Sequence, residues 1–111
     1  MTVYAKVLIP AKIAESAQTT QYTSTNVTTI IDKFTATNYS ATAATISVNL
    51  VTLADTAGNQ NLIVKTKSLQ TAETYTFPEL VGQVLAPGGS ISTLAGTGSA
   101  INIRCSGREV S

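Results

Sequence analysis

The chain of 111 residues contains no histidine and no tryptophan, and it has a single cysteine. Histidine is the most frequent general base, a common metal ligand and the side chain that titrates near neutral pH. Its absence therefore argues against the usual catalytic and metal-binding arrangements. A lone cysteine cannot form an internal disulfide, which favours assembly in a reducing compartment. The sequence predicts a protein without enzymatic activity, cofactor or metal.

Charged residues are also scarce, at 12% against 43% hydrophobic residues. This balance is the opposite of the one that keeps a chain disordered. So little charge also predicts that other subunits cover part of the surface. The formal net charge is +1, and the cations are scattered along the chain. Because a nucleic-acid-binding protein normally carries a basic stripe, nucleic acid is not a predicted partner.

Threonine and serine are abundant instead, at roughly a quarter of the residues. Branched threonine side chains favour extended backbone over helix. No apolar run is long enough to span a membrane, and the first thirty residues do not resemble a secretory signal. We therefore expect one all-β domain over residues 1–111, with no membrane partner.

Period-two alternation identifies the strands. Residues 2–9 alternate up to Pro10 and predict a first strand or an extended N-terminal arm over residues 1–10. Residues 27–38 form the clearest strand, and residues 42–53 form the next. The turn at 38–41 between them predicts a β-hairpin.

In the rest of the chain, residues that favour turns separate short segments. Residues 11–17 are compatible with one helical turn or a loop, and residues 78–84 with one helical turn. Residues 18–24 and 61–67 are compatible with short strands, and residues 100–106 with a last strand. The segments 69–77 and 85–93 share a leucine, a turn and a hydroxyl–apolar–hydroxyl pattern. About 7–8 strands with such spacing predict a single antiparallel β-sandwich or jelly roll.

Side chains that could carry chemistry are isolated from one another. The acidic residues are widely separated, so no paired carboxylates are visible. Asp32 and Lys33 are neighbours on a strand and are expected on opposite faces. Asp55 begins a plain turn. Cys105 lies in phase with apolar neighbours and is expected to be a buried, unreactive side chain.

Tyrosines bear on one alternative function. Carbohydrate-binding modules stack sugar rings on exposed aromatic faces, and Tyr39 and Tyr75 are the candidates for such a role. The simpler interpretation places Tyr39 at the rim of a turn and Tyr75 in the core. Because Tyr39 and Tyr75 could still stack on sugar rings, a carbohydrate-binding or adhesin-like module stays open as an alternative function.

Several segments together are similar to a known group of proteins. The runs at 29–38, 44–50, 62–64 and 79–93 resemble small structural proteins of tailed-bacteriophage virions, and the resemblance covers roughly residues 20 to 107. It implies a β-sandwich component of the particle without an enzymatic role. Capsid decoration (cement) proteins fit the size best, and a small neck or tail accessory protein is the other alternative.

These expectations define partners and a contact surface. The resemblance implies binding to the major capsid protein or other virion proteins and to copies of the chain itself, within virions assembled in the host bacterial cytoplasm. A hydroxyl-rich sheet face would make the contacts, and the N-terminal arm could add a strand to a neighbour's sheet edge. The predicted interface residues are Val3, Tyr4, Val7, Ile9 and Tyr39.

Overall fold

Two antiparallel sheets packed face to face make up the structure, a computed structural model that describes residues 2–111. The strands are β1 (Val3–Ile13), β2 (Thr19–Thr23), β3 (Thr28–Asn38), β4 (Ala44–Val51), β5 (Leu62–Leu69), β6 (Thr74–Tyr75), β7 (Val84–Leu85), β8 (Ser90–Ala95) and β9 (Ile101–Val110). A 3-10 helix, Asn59–Asn61, precedes β5. Segment 11–17, compatible with a helical turn or a loop, is the end of β1 followed by a bend, and segment 78–84, compatible with one helical turn, consists of turns that lead into β7.

The strand order is that of a jelly roll. One sheet, sheet A, has the order β1-β9-β3, with β6 and β7 both pairing with the far edge of β3. The other, sheet B, has the order β2-β8-β4-β5. Successive strands mostly alternate between the sheets, so each sheet joins strands that are distant in sequence. Counting β6 and β7 as one broken edge strand gives eight strands, and the predicted sandwich is confirmed.

The predicted hairpin between residues 27–38 and 42–53 is wrong. β3 pairs with β9 in sheet A, whereas β4 pairs with β5 and β8 in sheet B. The turn carries the chain from one sheet to the other. Asn38 holds this corner, because its buried amide donates to the carbonyl oxygens of Thr42 and Leu69, each at 2.9 Å.

The predicted first strand continues past Pro10 to Ile13 and belongs to the chain's own sheet. It pairs with β9 from Val3 opposite Val110 to Ile13 opposite Asn102, so residues 3–10 are not a detached arm. A proline is tolerated here because β1 is an edge strand. A bulge between Val7 and Ile9 turns both Leu8 and Ile9 into the core, which interrupts the simple alternation.

A second bulge lies on the other side of β9. In β3 the register shifts between Ile31 and Lys33, and as a result Asp32 and Lys33 are both exposed. Their predicted placement on opposite faces is therefore wrong. Both bulges lie beside Ser106 of β9, and at the adjacent Gly107 an added Cβ would clash with the Ile30 carbonyl oxygen. The absence of a side chain at Gly107 lets the three strands approach closely.

Aromatic and aliphatic side chains fill the space between the sheets. Phe34 and Phe77 are fully buried and meet edge to face with centroids 4.9 Å apart. Tyr75 was expected in the core; it is half-buried, packs on Phe77 and donates its hydroxyl to Glu79. Burial raises the pKa of the Cys105 thiol to about 12, consistent with the predicted inert side chain.

The strands run between two ends of an elongated molecule, 46 Å in its longest extent. At the terminal end, Thr2 and Ser111 exchange backbone hydrogen bonds beside the loops at 24–27, 52–61 and 86–89. The opposite end carries Tyr39 and the loop at 96–100. Since β3 connects the ends with eleven residues, they lie ~33 Å apart.

Candidate interaction surface

Exposed large apolar side chains of the described chain gather toward the terminal end. The eight such residues are Val3, Tyr4, Val7, Ile13, Tyr39, Leu53, Val81 and Val84. Only Ile13 and Tyr39 lie toward the opposite end, judged by the strand registers. Scattered exposed apolar residues are ordinary, but a one-sided distribution marks a contact surface.

Among these residues, Val3, Val7 and Val84 lie on the outer face of sheet A, where the strand register aligns them with other apolar side chains. Residues directly opposite one another in a sheet share a face. Val3 lies opposite Val110, and Ala5 lies opposite Arg108. The row that contains Ala5 and Arg108 continues to Ile30 on β3 and then to Val84 on β7. We call Val3, Ala5, Val7, Ile30, Val84 and Val110 the apolar face.

One ion pair interrupts the apolar face. The Arg108 guanidinium donates to Asp32 through Nη2 at 2.8 Å and through Nε at 3.0 and 3.2 Å. Two nitrogen donors on one carboxylate fix the plane of the guanidinium. The aliphatic stem of Arg108 then lies between Ala5 and Ile30. A cation and an anion are thus held at fixed positions beside these apolar side chains, and the row of Val7 continues to the polar Ser106 and Lys33.

Toward the opposite end the same sheet face is mostly polar, although the exposed Ile13 lies opposite Asn102 there. Thr35, Thr37 and Asn102 continue the outer row of β3 and β9, and Thr37 bonds Thr74 at 2.9 Å. Within sheet A, the expected hydroxyl side chains are therefore concentrated on this half. Other hydroxyl side chains are buried, among them Ser24, Thr29, Ser47, Ser92 and Thr93.

An apolar cavity of about 320 Å³ opens beside the apolar face and shares Val84 with it. Leu53, the most exposed large apolar residue at 71%, forms part of its wall. The other side chains around it include Leu50, Ile63, Leu85 and Pro87. A cavity lined by such residues can receive an apolar group from a partner.

A hydrogen-bonded network closes the sandwich at the terminal end. The Tyr22 hydroxyl of sheet B donates to Glu109 of sheet A and lies 2.7 Å from the Thr29 hydroxyl. Lys6 approaches the same Glu109 carboxylate at 3.2 Å. The hydrogen bond from Tyr22 and the nearby Lys6 lower the pKa of Glu109. Burial, and then the bond to Glu109, raise the pKa of Tyr22. The network ties the sheets together beneath β1.

The residues predicted as an interface do not form one surface. Val3 and Val7 lie on the apolar face, whereas Tyr4 is exposed on the other face of β1, opposite Glu109. Tyr39 is half exposed at the turn, as expected, but lies at the opposite end. Ile9 is fully buried, because the bulge in β1 turns it inward, and its assignment to an interface is wrong.

The sequence alone did not identify three residues of the apolar face: Val84, Ile30 and Val110. They lie on three strands that are far apart along the chain, and only the sheet order brings them together. In the dipeptide Val84-Leu85 one side chain is exposed and the other is buried. Two residues are too few for this alternation to predict a strand.

Comparison with known proteins gives no relative. The chain matches no protein-family model, no curated protein and no solved structure. Within residues 2–111, no three side chains of the metal-binding types cluster closely enough to hold a metal ion. Nor does this part of the chain contain a helix of the length and apolarity that a membrane span requires. The surface geometry is therefore the basis for a functional proposal.

Proposed function

We propose that this protein is a non-enzymatic structural component of a tailed-bacteriophage virion, a decoration protein that binds the lattice of the major capsid protein. The observation that carries the proposal is the apolar face, which spans four strands of one sheet at one end of a small jelly roll. Exposed apolar surface of this kind is typical of protein contacts. The resemblance of the strand-and-turn pattern to small virion proteins supplies the class of partner.

The arrangement suits attachment to a protein lattice. Val3, Val7 and Val84 provide apolar contact area, and the Arg108–Asp32 pair provides charges at fixed positions for orientation. The cavity beside Leu53 can receive an apolar side chain of the capsid protein. An apolar centre with a polar rim is the usual composition of a protein interface.

The expected effect on the particle follows from mass action. A protein that binds the assembled lattice and not its dissociated subunits stabilises assembly in proportion to its binding free energy and its concentration. Many copies at weak individual sites are sufficient for this, since each occupied site adds its own stabilisation. No bond is made or broken in such a role, and the chain needs only a stable fold and a contact surface.

Binding of purified chain to capsids of its phage, assembled without it, tests the proposal. Val84→Glu places a charge on the apolar face at an exposed position and should weaken cosedimentation with capsids by about tenfold or more. The matched control is Thr20→Glu, at an exposed position on β2 of the other sheet. Wild-type chain that fails to cosediment, or equal binding by Val84→Glu and wild type, would contradict the proposal.

A further inference from the structure

The free edge of β1 differs from the other sheet edges in the described chain. Exposed strand edges are normally protected by charges, bulges, prolines or shortness. β6 and β7 have two residues each, and β2 has five with a bulge. β5 carries Lys65 and Lys67, and Thr66 between them has a φ of +44°. The second half of β1 contains two register shifts and Pro10.

Residues 2–7, which comprise Thr2 and the first half of β1, lack these devices. Their register with β9 is unbroken from Val3 to Val7, and every one of them is exposed. The only charge in the segment is Lys6, whose ammonium group is directed to Glu109. A flat, exposed and almost uncharged edge of this length is a template for another strand.

The hydrogen bonds at the terminus show which backbone groups are free. Thr2 and Ser111 exchange both of their N–H···O bonds. In an antiparallel ladder such pairs alternate with pairs that make no bonds to each other. The N–H and C=O groups of Val3, Ala5 and Val7 therefore point away from β9, toward the free edge.

We propose that two copies of the chain associate through β1, antiparallel about a twofold axis at Ala5. In this register Ala5 pairs with Ala5 of the second copy, and Val3 pairs with Val7. All three residues with outward backbone groups then find partners, which gives about six hydrogen bonds between the copies. Tyr4 of one copy lies opposite Lys6 of the other.

Alternative registers are poorer. Sliding by two residues in one direction leaves Val7 without a partner among the described residues. Sliding in the other direction sets Lys6 directly opposite Lys6 of the second copy and pairs Val3 with the buried, bulged Ile9. Like charges directly opposite one another are destabilising. The segment is thus self-complementary in one register, which is why a second copy is the occupant that we propose.

The biological use of this pairing rests on the proposed function. Residues opposite one another across a sheet share a face, and this fixes where the two apolar faces lie in the dimer. The two A sheets would become one continuous sheet, and the two apolar faces would lie on the same side of it. A dimer would then present a doubled surface to the lattice and bind two subunits at once, with the gain in affinity that linked sites provide.

Sedimentation equilibrium of the purified full chain tests the pairing without any capsid. The wild type should be dimeric, and Ala5→Glu should weaken dimerisation by about tenfold or more, because two carboxylates meet at the axis. Within its own chain the new carboxylate lies opposite Arg108, which favours folding. Thr20→Glu and Val84→Glu are controls that should dimerise like the wild type. A monomeric wild type, or an Ala5→Glu protein as dimeric as the wild type, would overturn the proposal.

Oxidative cross-linking tests the register and uses variants that leave the charge unchanged. Ala5→Cys should form a disulfide with its counterpart, since the two Cα atoms lie about 5.5 Å apart in this pairing. Val3→Cys and Val7→Cys should each cross-link poorly alone, because like residues lie ~13 Å apart, and well when mixed. Cys105 is buried and leaves the background low. Equal cross-linking of all three single variants would contradict the register.

Failure of the dimer and failure of the proposed function give different results. A monomeric chain that still binds capsids would refute the pairing alone. A dimeric chain that does not bind capsids would refute the capsid role and leave the pairing intact.

Discussion

Replacing Gly107 by alanine tests the packing of the three strands that carry the apolar face. An alanine Cβ would clash with the Ile30 carbonyl oxygen and lie 2.8 Å from Leu8 Cδ1. The oxygen belongs to the backbone of β3, so relief requires separation of β3 and β9. Overpacking of this kind costs about 3 kcal/mol. Alanine also lowers the conformational entropy of the unfolded chain, which offsets about 1 kcal/mol of this loss in stability.

The net loss of about 2 kcal/mol should lower Tm by about 10 °C in a domain of this size, measured by thermal unfolding followed by circular dichroism. Gly98→Ala is the matched control, since its new Cβ would lie 3.5 Å from Ser16 Oγ, an ordinary contact. A Gly107→Ala protein as stable as the Gly98→Ala protein would refute the close approach of the strands.

Three further predictions concern the core and the network at the terminal end. Phe34→Ala should reduce the free energy of unfolding by about 4 kcal/mol in urea titration, because it empties a fully buried aromatic site, whereas Phe34→Leu should cost much less. Because the pKa of Glu109 is lowered in the folded state, ionised Glu109 stabilises the fold fully above the ordinary pKa of 4.5, and this stabilisation is lost as pH falls through the folded pKa. Tyr22→Phe removes a hydrogen bond to Glu109 and should therefore weaken the pH dependence of stability in acid-unfolding curves. Cys105 should react with Ellman's reagent at pH 8 only after unfolding, and rapid reaction of the native chain would contradict its burial.

Local pattern was sufficient to predict the fold class but not the strand pairing. The strands at residues 28–38 and 44–51 were recognisable, because alternation and turn residues act over a few positions. Their separation into different sheets depends on β9, which inserts between β1 and β3 from the far end of the chain. No signal near the turn after Asn38 distinguishes a hairpin from a crossing between sheets.

Bulges explain why the predicted interface was partly wrong. A single extra residue reverses which side chains face the core. The bulge in β1 buries Ile9, and the bulge in β3 exposes both Asp32 and Lys33. Gly107, next to the position that both bulges face, is a sequence feature that hints at them, but its role is visible only once the three strands are adjacent.

The copy number of this chain in purified particles of the phage that it is proposed to decorate is the most direct measurement of the proposed role. Quantitative mass spectrometry would compare its peptides with those of the major capsid protein. A decoration protein predicts a fixed ratio to the capsid protein, with copies numbering in the range of the lattice sites. A few copies per particle would place the chain at the neck or tail, and absence from the particle would contradict a virion role.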